Sequence, residues 1–101
     1  METVYNQEER KWEEVKVLRY IKLEKYPNRI FFAHKNIRGT GYAVSEQETG
    51  SFIYCSRAEK LGVVIWKALD ILNKIPINRF NKYLTSTLEK LNEMEKALNI
   101  N

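Results

Sequence analysis

Side-chain chemistry has few residues to draw on in this chain. There is one histidine, His34, and one cysteine, Cys55. Any nucleophile–base pair must therefore use His34 as its imidazole, with Cys55 or a serine attacking. No residue pattern beside Cys55 supplies an activating base, so its thiol reads as a small buried hydrophobe with no disulfide partner in the chain. A structural zinc site would need at least two carboxylates beside His34 and Cys55, whereas such sites are built mostly from Cys and His. The acidic pairs Glu13-Glu14 and Glu46/Glu48 stand in polar stretches, where ionised and solvated carboxylates are expected. A Gly-x-Ser-x-Gly elbow and a phosphate loop ending in Lys-Ser/Thr are both absent from the sequence. Gly39-Thr40-Gly41 lacks the third glycine and the helix start of a dinucleotide fingerprint, and reads as a turn or bulge. The expectation is a non-enzyme with no catalytic residue, no cofactor and no metal.

Length and charge narrow the class further. A chain of 101 residues fits a single α+β domain spanning 1–101. No apolar run approaches the roughly 20 residues that cross a bilayer, and the charged stretch Met1 to Glu14 does not suit a secretory signal. A cytoplasmic, membrane-free protein is expected. The net charge of +4 is spread thinly: nine Lys/Arg face eight Asp/Glu up to Ser56, and eight face five from Arg57 onward. Phosphate-binding surfaces cluster their basic residues. This pattern reads instead as a solvated surface of mixed charge.

The hydrophobic periodicity supplies the elements. From Val15 to Leu23, apolar residues alternate with Lys16, Tyr20 and Lys22, which predicts a half-buried strand with Arg19 at a bulge or rim. Pro27-Asn28 ends it, and Arg29 to His34 is almost continuously apolar, as in a strand covered on both faces. Tyr42-Ala43-Val44 and Ser51 to Cys55 give two more strands around the acidic loop Glu46 to Gly50. Short connections imply a four-stranded antiparallel meander. The first dozen residues, with Tyr5 and Trp12 among many charges, could form a short N-terminal helix before the sheet. Ser56-Arg57-Ala58-Glu59 matches a capping box, and Leu61, Val64, Ile65, Ala68, Leu69 and Leu72 recur at helical spacing. With Val63, Trp66 and Ile71 added, that helix is expected to lie between the sheet and a second helix. Pro76 closes it, Asn78 is the cap expected for the next, and Phe80, Leu84, Leu88, Leu91 and Leu98 form the last stripe. The fold class is α+β: a four-stranded meander followed by two packed C-terminal helices. The final stripe covers the first helix, or alternatively forms a homodimer seam.

The stretch from Cys55-Ser56-Arg57-Ala58-Glu59-Lys60-Leu61-Gly62 to Ala68-Leu69 resembles immunity proteins of bacterial contact-dependent growth inhibition systems. In that family a strand runs into a Ser/Asp-rich cap, a Leu-Gly pair, an apolar turn and an Ala-Leu pair. The resemblance covers about 20 residues and the order of sheet then helix. Leu61-Gly62 also suits ordinary helix packing, with Gly62 allowing close approach to the sheet. The resemblance implies an antitoxin that neutralises a cognate protein toxin, a nuclease in the leading reading, by stoichiometric contact. Family members directed against nucleases are often acidic, whereas this chain is basic overall, so either the toxin is a less basic enzyme or a local acidic patch carries the contact. Glu46, Gln47 and Glu48 at the hairpin tip are the partner-binding candidates, with Lys35 and Arg38. The rival reading is a single-stranded nucleic-acid module of Whirly-like ββββα order. It would stack bases on Phe31, Tyr42, Phe52 and Tyr54 beside Lys16, Lys22, Lys35 and Arg38. A small dimeric regulator is the third.

Overall fold

The computed structural model describes residues 1–6, 8–37, 39–86 and 89. Six strands precede the helices: β1 (Glu2–Asn6), β2 (Lys11–Val15), β3 (Val17–Ile21), β4 (Phe31–Lys35), β5 (Tyr42–Glu46) and β6 (Phe52–Ser56). The expected four-stranded antiparallel meander is present, in the order β3-β4-β5-β6. It is followed by α1 (Leu61–Lys74) and by a second helix, α2, over residues 77–86.

The N-terminal helix is corrected to a hairpin. β1 and β2 pair antiparallel as a separate two-stranded sheet. Asn6 Oδ1 accepts the amide N–H groups of Glu8 and Glu9, and Arg10 takes a positive φ of 54°, so the chain reverses in a polar turn. Tyr5 and Trp12 then face each other across the strands, with ring centroids 5.4 Å apart and edge to face. Such a cross-strand aromatic pair favours the extended form. The strand expected over Val15 to Leu23 is accordingly divided, with Val15 ending β2 and β3 beginning at Val17.

A bulge in β3 decides which face each residue serves. The register shifts between Val17, opposite His34, and Arg19, opposite Ala33. Leu18 is the extra residue, so the bulge expected near Arg19 is there. It also redistributes the faces, which simple alternation does not show. Val17 and Ile21, assigned to one face by alternation, belong to different cores: Ile21 to the helix side, Val17 to the hairpin side. β4 is covered on both faces, as its apolar run predicts. Phe31 and Ala33 lie in the core built with the helices, and Phe32 packs with Val4 and Val15 of the hairpin. At the other end of the sheet Gly41, at φ +94°, brings the start of β5 against β6. A Cβ there would lie 1.8 Å from the Ser56 carbonyl oxygen.

The helices occupy the face opposite the hairpin. Val64, Ile65, Ala68 and Leu72 of α1 are buried against the sheet, with Leu61 and Leu69 at the margin. Val63 and Trp66 are exposed, Trp66 to 64 %, so α1 is buried on one stripe rather than between two layers. Gly62 faces open space, not the sheet. The capping box is also corrected. Ser56 Oγ does accept the amides of Ala58 and Glu59, but this forms a turn before the helix. The helix cap is Lys60, which gives no side-chain bond. The Glu59 carboxylate turns to the Tyr54 hydroxyl and to Lys67 instead.

At its other end α1 stops before Pro76, as expected. Its orphan carbonyls are taken up from outside the helix. Lys25 Nζ donates to the carbonyls of Leu72, Asn73 and Ile75 at 2.7–3.0 Å, and the Tyr26 hydroxyl donates to that of Leu72. A cation here also complements the negative end of the helix dipole. Asn78 is inside α2, not its cap, since the Phe80 amide already bonds back to the Pro76 carbonyl. Phe80 and Leu84 are buried in the helix-side core, where Phe80 meets the rings of Tyr26 and Phe31. Leu88, Leu91 and Leu98 of the predicted stripe, and with them the dimer seam, lie outside the described residues.

Candidate interaction surface

The acidic loop between β5 and β6 is a compact built turn. The Gly50 amide bonds to the Glu46 carbonyl, the Glu46 amide to that of Ser51, and the Gln47 amide to that of Ile30. Gly50, at φ +68°, lies beneath the Trp12 ring, which a Cβ would meet at 2.6 Å. The three acidic-loop candidates have different fates. Glu46 is fully buried. Its carboxylate accepts the amide N–H groups of Glu48 and Thr49 and an Arg29 Nη1–H at 3.2 Å. Burial pushes its pKa up, and the two amides and the Arg29 charge pull it partly back. Glu46 is thus a strut of the loop, and its position at the solvated tip is corrected.

Gln47 and Glu48 are the exposed pair. Glu48 also pairs with Arg29 Nη1, at 2.6 Å, while its side chain keeps 62 % of its surface open. Gln47 Nε2 donates to Glu2 at 2.7 Å, tying the tip to the N-terminal hairpin. Next to Glu48 an open pocket of about 230 Å³ runs past Pro27, Asn28 and Arg29 to Ile77 and Asn81 of α2. Arg29 therefore joins a buried carboxylate, an exposed one and a pocket wall. It was missed from the sequence because it reads there only as the polar start of an apolar strand. Its proximity to Glu46 follows from the pairing of Phe31 with Glu46, which no local pattern reveals.

Lys35 is not part of this cluster. It is exposed opposite Tyr42, at the far end of the β4–β5 ladder from Glu46. Four residue steps of strand put the two ends about 13 Å apart. Arg38 lies outside the described residues. The proposed stacking aromatics are not a platform either: Phe31 is fully buried, and Tyr42, Phe52 and Tyr54 pack at the margins of the two cores.

A second polar constellation sits inside the molecule. His34 and Ser45 are both fully buried on the hairpin side of the sheet. His34 Nδ1 is 2.7 Å from the Lys35 carbonyl oxygen, which only accepts, so this nitrogen carries the proton. Nε2 is then the acceptor of the Ser45 hydroxyl, at 2.8 Å. Burial lowers the imidazole pKa, with the Lys35 carbonyl opposing. The arrangement has the polarity of a serine–base pair but gives a substrate no access to the hydroxyl. Cys55, expected to be buried, is exposed. Among the described residues no group of three His, Cys, Asp or Glu side chains is placed to hold a metal ion. None of their helices is long and apolar enough to cross a membrane.

No protein-family model, curated protein or solved structure matches this chain.

Proposed function

We propose that the chain is a stoichiometric binding protein, an immunity protein that neutralises a cognate bacterial toxin domain by direct contact. The observation that carries this reading is the preorganised acidic tip. Glu46 is spent internally to fix the loop through two amides and Arg29, so Gln47 and Glu48 are presented from a rigid base. Preorganisation lowers the ordering cost of association, and a fixed carboxylate beside an open pocket suits a partner that brings a basic side chain and an apolar stem. The fold around the tip calls for no chemistry. Its one serine–imidazole pair is sealed in the interior, consistent with a protein that acts by occupancy.

The test is pull-down of the partner from the native host, followed by coexpression with any toxin domain so identified. The expected outcome is rescue of growth and a 1:1 complex by light scattering. Glu48→Lys should weaken that complex at least tenfold, while loss of its pair with Arg29 lowers stability by no more than about 1 kcal/mol. No rescue, together with a steep loss of nucleic-acid binding as salt is raised, would replace this reading with the single-strand one.

A further inference from the structure

The hairpin β1–β2 is held on the sheet by little. Its buried apolar contact consists of Val4 and Val15 against Phe32, with Val17, Ile37 and Phe52 at the margin. Around this are a 3.4 Å bond from the Tyr5 amide to the Gly50 carbonyl, the Trp12 ring on Gly50, and Glu2, whose Oε2 accepts both the Tyr20 hydroxyl and Gln47 Nε2. On the same face of the sheet His34 is enclosed between Phe32 and Phe52, with ring centroids 5.4 and 5.7 Å away. In the neutral ring one nitrogen donates to the Lys35 carbonyl and the other accepts from the Ser45 hydroxyl, so both partners are uncharged. An imidazolium carries N–H on both nitrogens, so the Ser45 hydroxyl would have to rotate and accept, and a full charge would sit in a fully buried site whose hydrogen-bond partners are neutral.

The surrounding charges offer it no compensation. The hairpin residues on the Val4–Val15 face with charge are Glu2, Lys11 and Glu13. Glu2 is engaged by Tyr20 and Gln47, and Glu13 by Asn6 and Lys11. From the neighbouring strands, the residues sharing the His34 face are Val17 and Tyr20 of β3, Ala43 and Ser45 of β5, and Phe52 and Cys55 of β6. None carries a charge at neutral pH. Glu46, the next residue after Ser45, is turned to Arg29. The least costly route to hydrating a protonated His34 is to open the side with the smallest core.

We propose that the N-terminal hairpin is an acid-released cover, seated on the sheet while His34 is neutral and lifted when His34 takes up a proton, with the helix-packed half still folded. Lifting uncovers the Phe32–Phe52 strip and frees Gln47 from Glu2, so the acidic tip changes its presentation as the hairpin leaves. One proton is taken up per opening. The opening equilibrium therefore rises about tenfold per pH unit below the ordinary histidine value of about 6.5, until the ring titrates in the closed form as well.

The experiment uses the full chain with Trp66→Phe, which leaves Trp12 as the sole indole, between pH 8 and 5. Expected are a red shift of Trp12 emission and a fall of at least tenfold in the protection factors of amides 2–6 and 11–15. Amides 64–74 should keep theirs. His34→Gln, which can still donate and accept as a neutral group, should flatten both signals. Should that variant fail to fold, the wild-type His34 ring resonance serves instead and must titrate together with the hairpin amides. Three results would overturn the proposal: flat hairpin protection across the range, a transition that persists in folded His34→Gln, or simultaneous loss of protection in α1.

Discussion

The two faces of one sheet are stabilised on different scales. On the helix side, eleven described residues from β3 through α2 are buried together, among them Phe31, Leu72, Phe80 and Leu84. On the hairpin side the buried set is Val4, Val15 and Phe32. At about 25 cal/mol for each Å² of apolar surface removed from water, the first face holds most of the folding free energy, and the second holds enough to seat a hairpin. The sheet is thus a fixed wall on one side and a lightly closed one on the other. Cooperative units of unequal stability are expected where buried apolar area is unequal.

Substitutions can break or sharpen that contrast. The largest effect belongs to the helix side. Leu72→Ala, at a fully buried site, should cost about 2–5 kcal/mol, read as a lower denaturation midpoint for strand and helix signals alike. Glu46→Ala comes next at about 2–3 kcal/mol, because it leaves the buried amides at Glu48 and Thr49 without an acceptor. It should also disorder the tip and so abolish the partner binding proposed for it. Val4→Ala removes two methyl groups, worth about 1.6 kcal/mol. Its loss should appear as faster hydrogen exchange confined to the hairpin, with the global midpoint nearly unmoved. A matching global loss would show that the two faces unfold as one.

Smaller effects come from pH, and the buried groups His34 and Glu46 have opposite signs. His34 binds its proton less readily in the fold than in the unfolded chain. Its contribution to stability is intact above about 6.5 and falls as pH drops through that value. Glu46 binds its proton more readily in the fold. It destabilises as pH rises from about 4.5 through its raised value. Denaturation across this range in His34→Gln and Glu46→Gln should remove one slope each. The smallest effect is Glu48→Gln, which trims a half-exposed ion pair and should change stability by less than about 1 kcal/mol.

Much of the sheet could be read from the chain, because apolar alternation and turn residues are local signals. The four-strand meander, the core stripe of α1 and its stop at Pro76 all follow from spacing. The hairpin was hidden because Glu2 to Glu14 is rich in charge, while the residues that decide it are Val4 and Val15, whose burial depends on Phe32 much further along. Ser56 and Glu59 have capping-box spacing, yet the helix begins beyond them because Glu59 finds better partners in Tyr54 and Lys67. At the candidate surface, sequence located the acidic loop but not the division of labour within it. Burial of Glu46 depends on Arg29, brought near by strand pairing. The inference of an exposed Glu46 failed for the same reason that Arg29 went unnoticed.

The bulge at Leu18 has a consequence for how this chain can change over time. Beyond it, Tyr20 reaches Glu2 on one side of the sheet while Ile21 enters the core on the other. Leu18 is the extra residue in the pairing with β4, so deleting it would leave Val17, Arg19, Tyr20 and Ile21 opposite His34, Ala33, Phe32 and Phe31 in unbroken alternation. Loss of this one codon should therefore keep Ile21 in its core and Tyr20 on its own side. The bulge is a spare position, at which the strand can shorten by one residue without exchanging its faces.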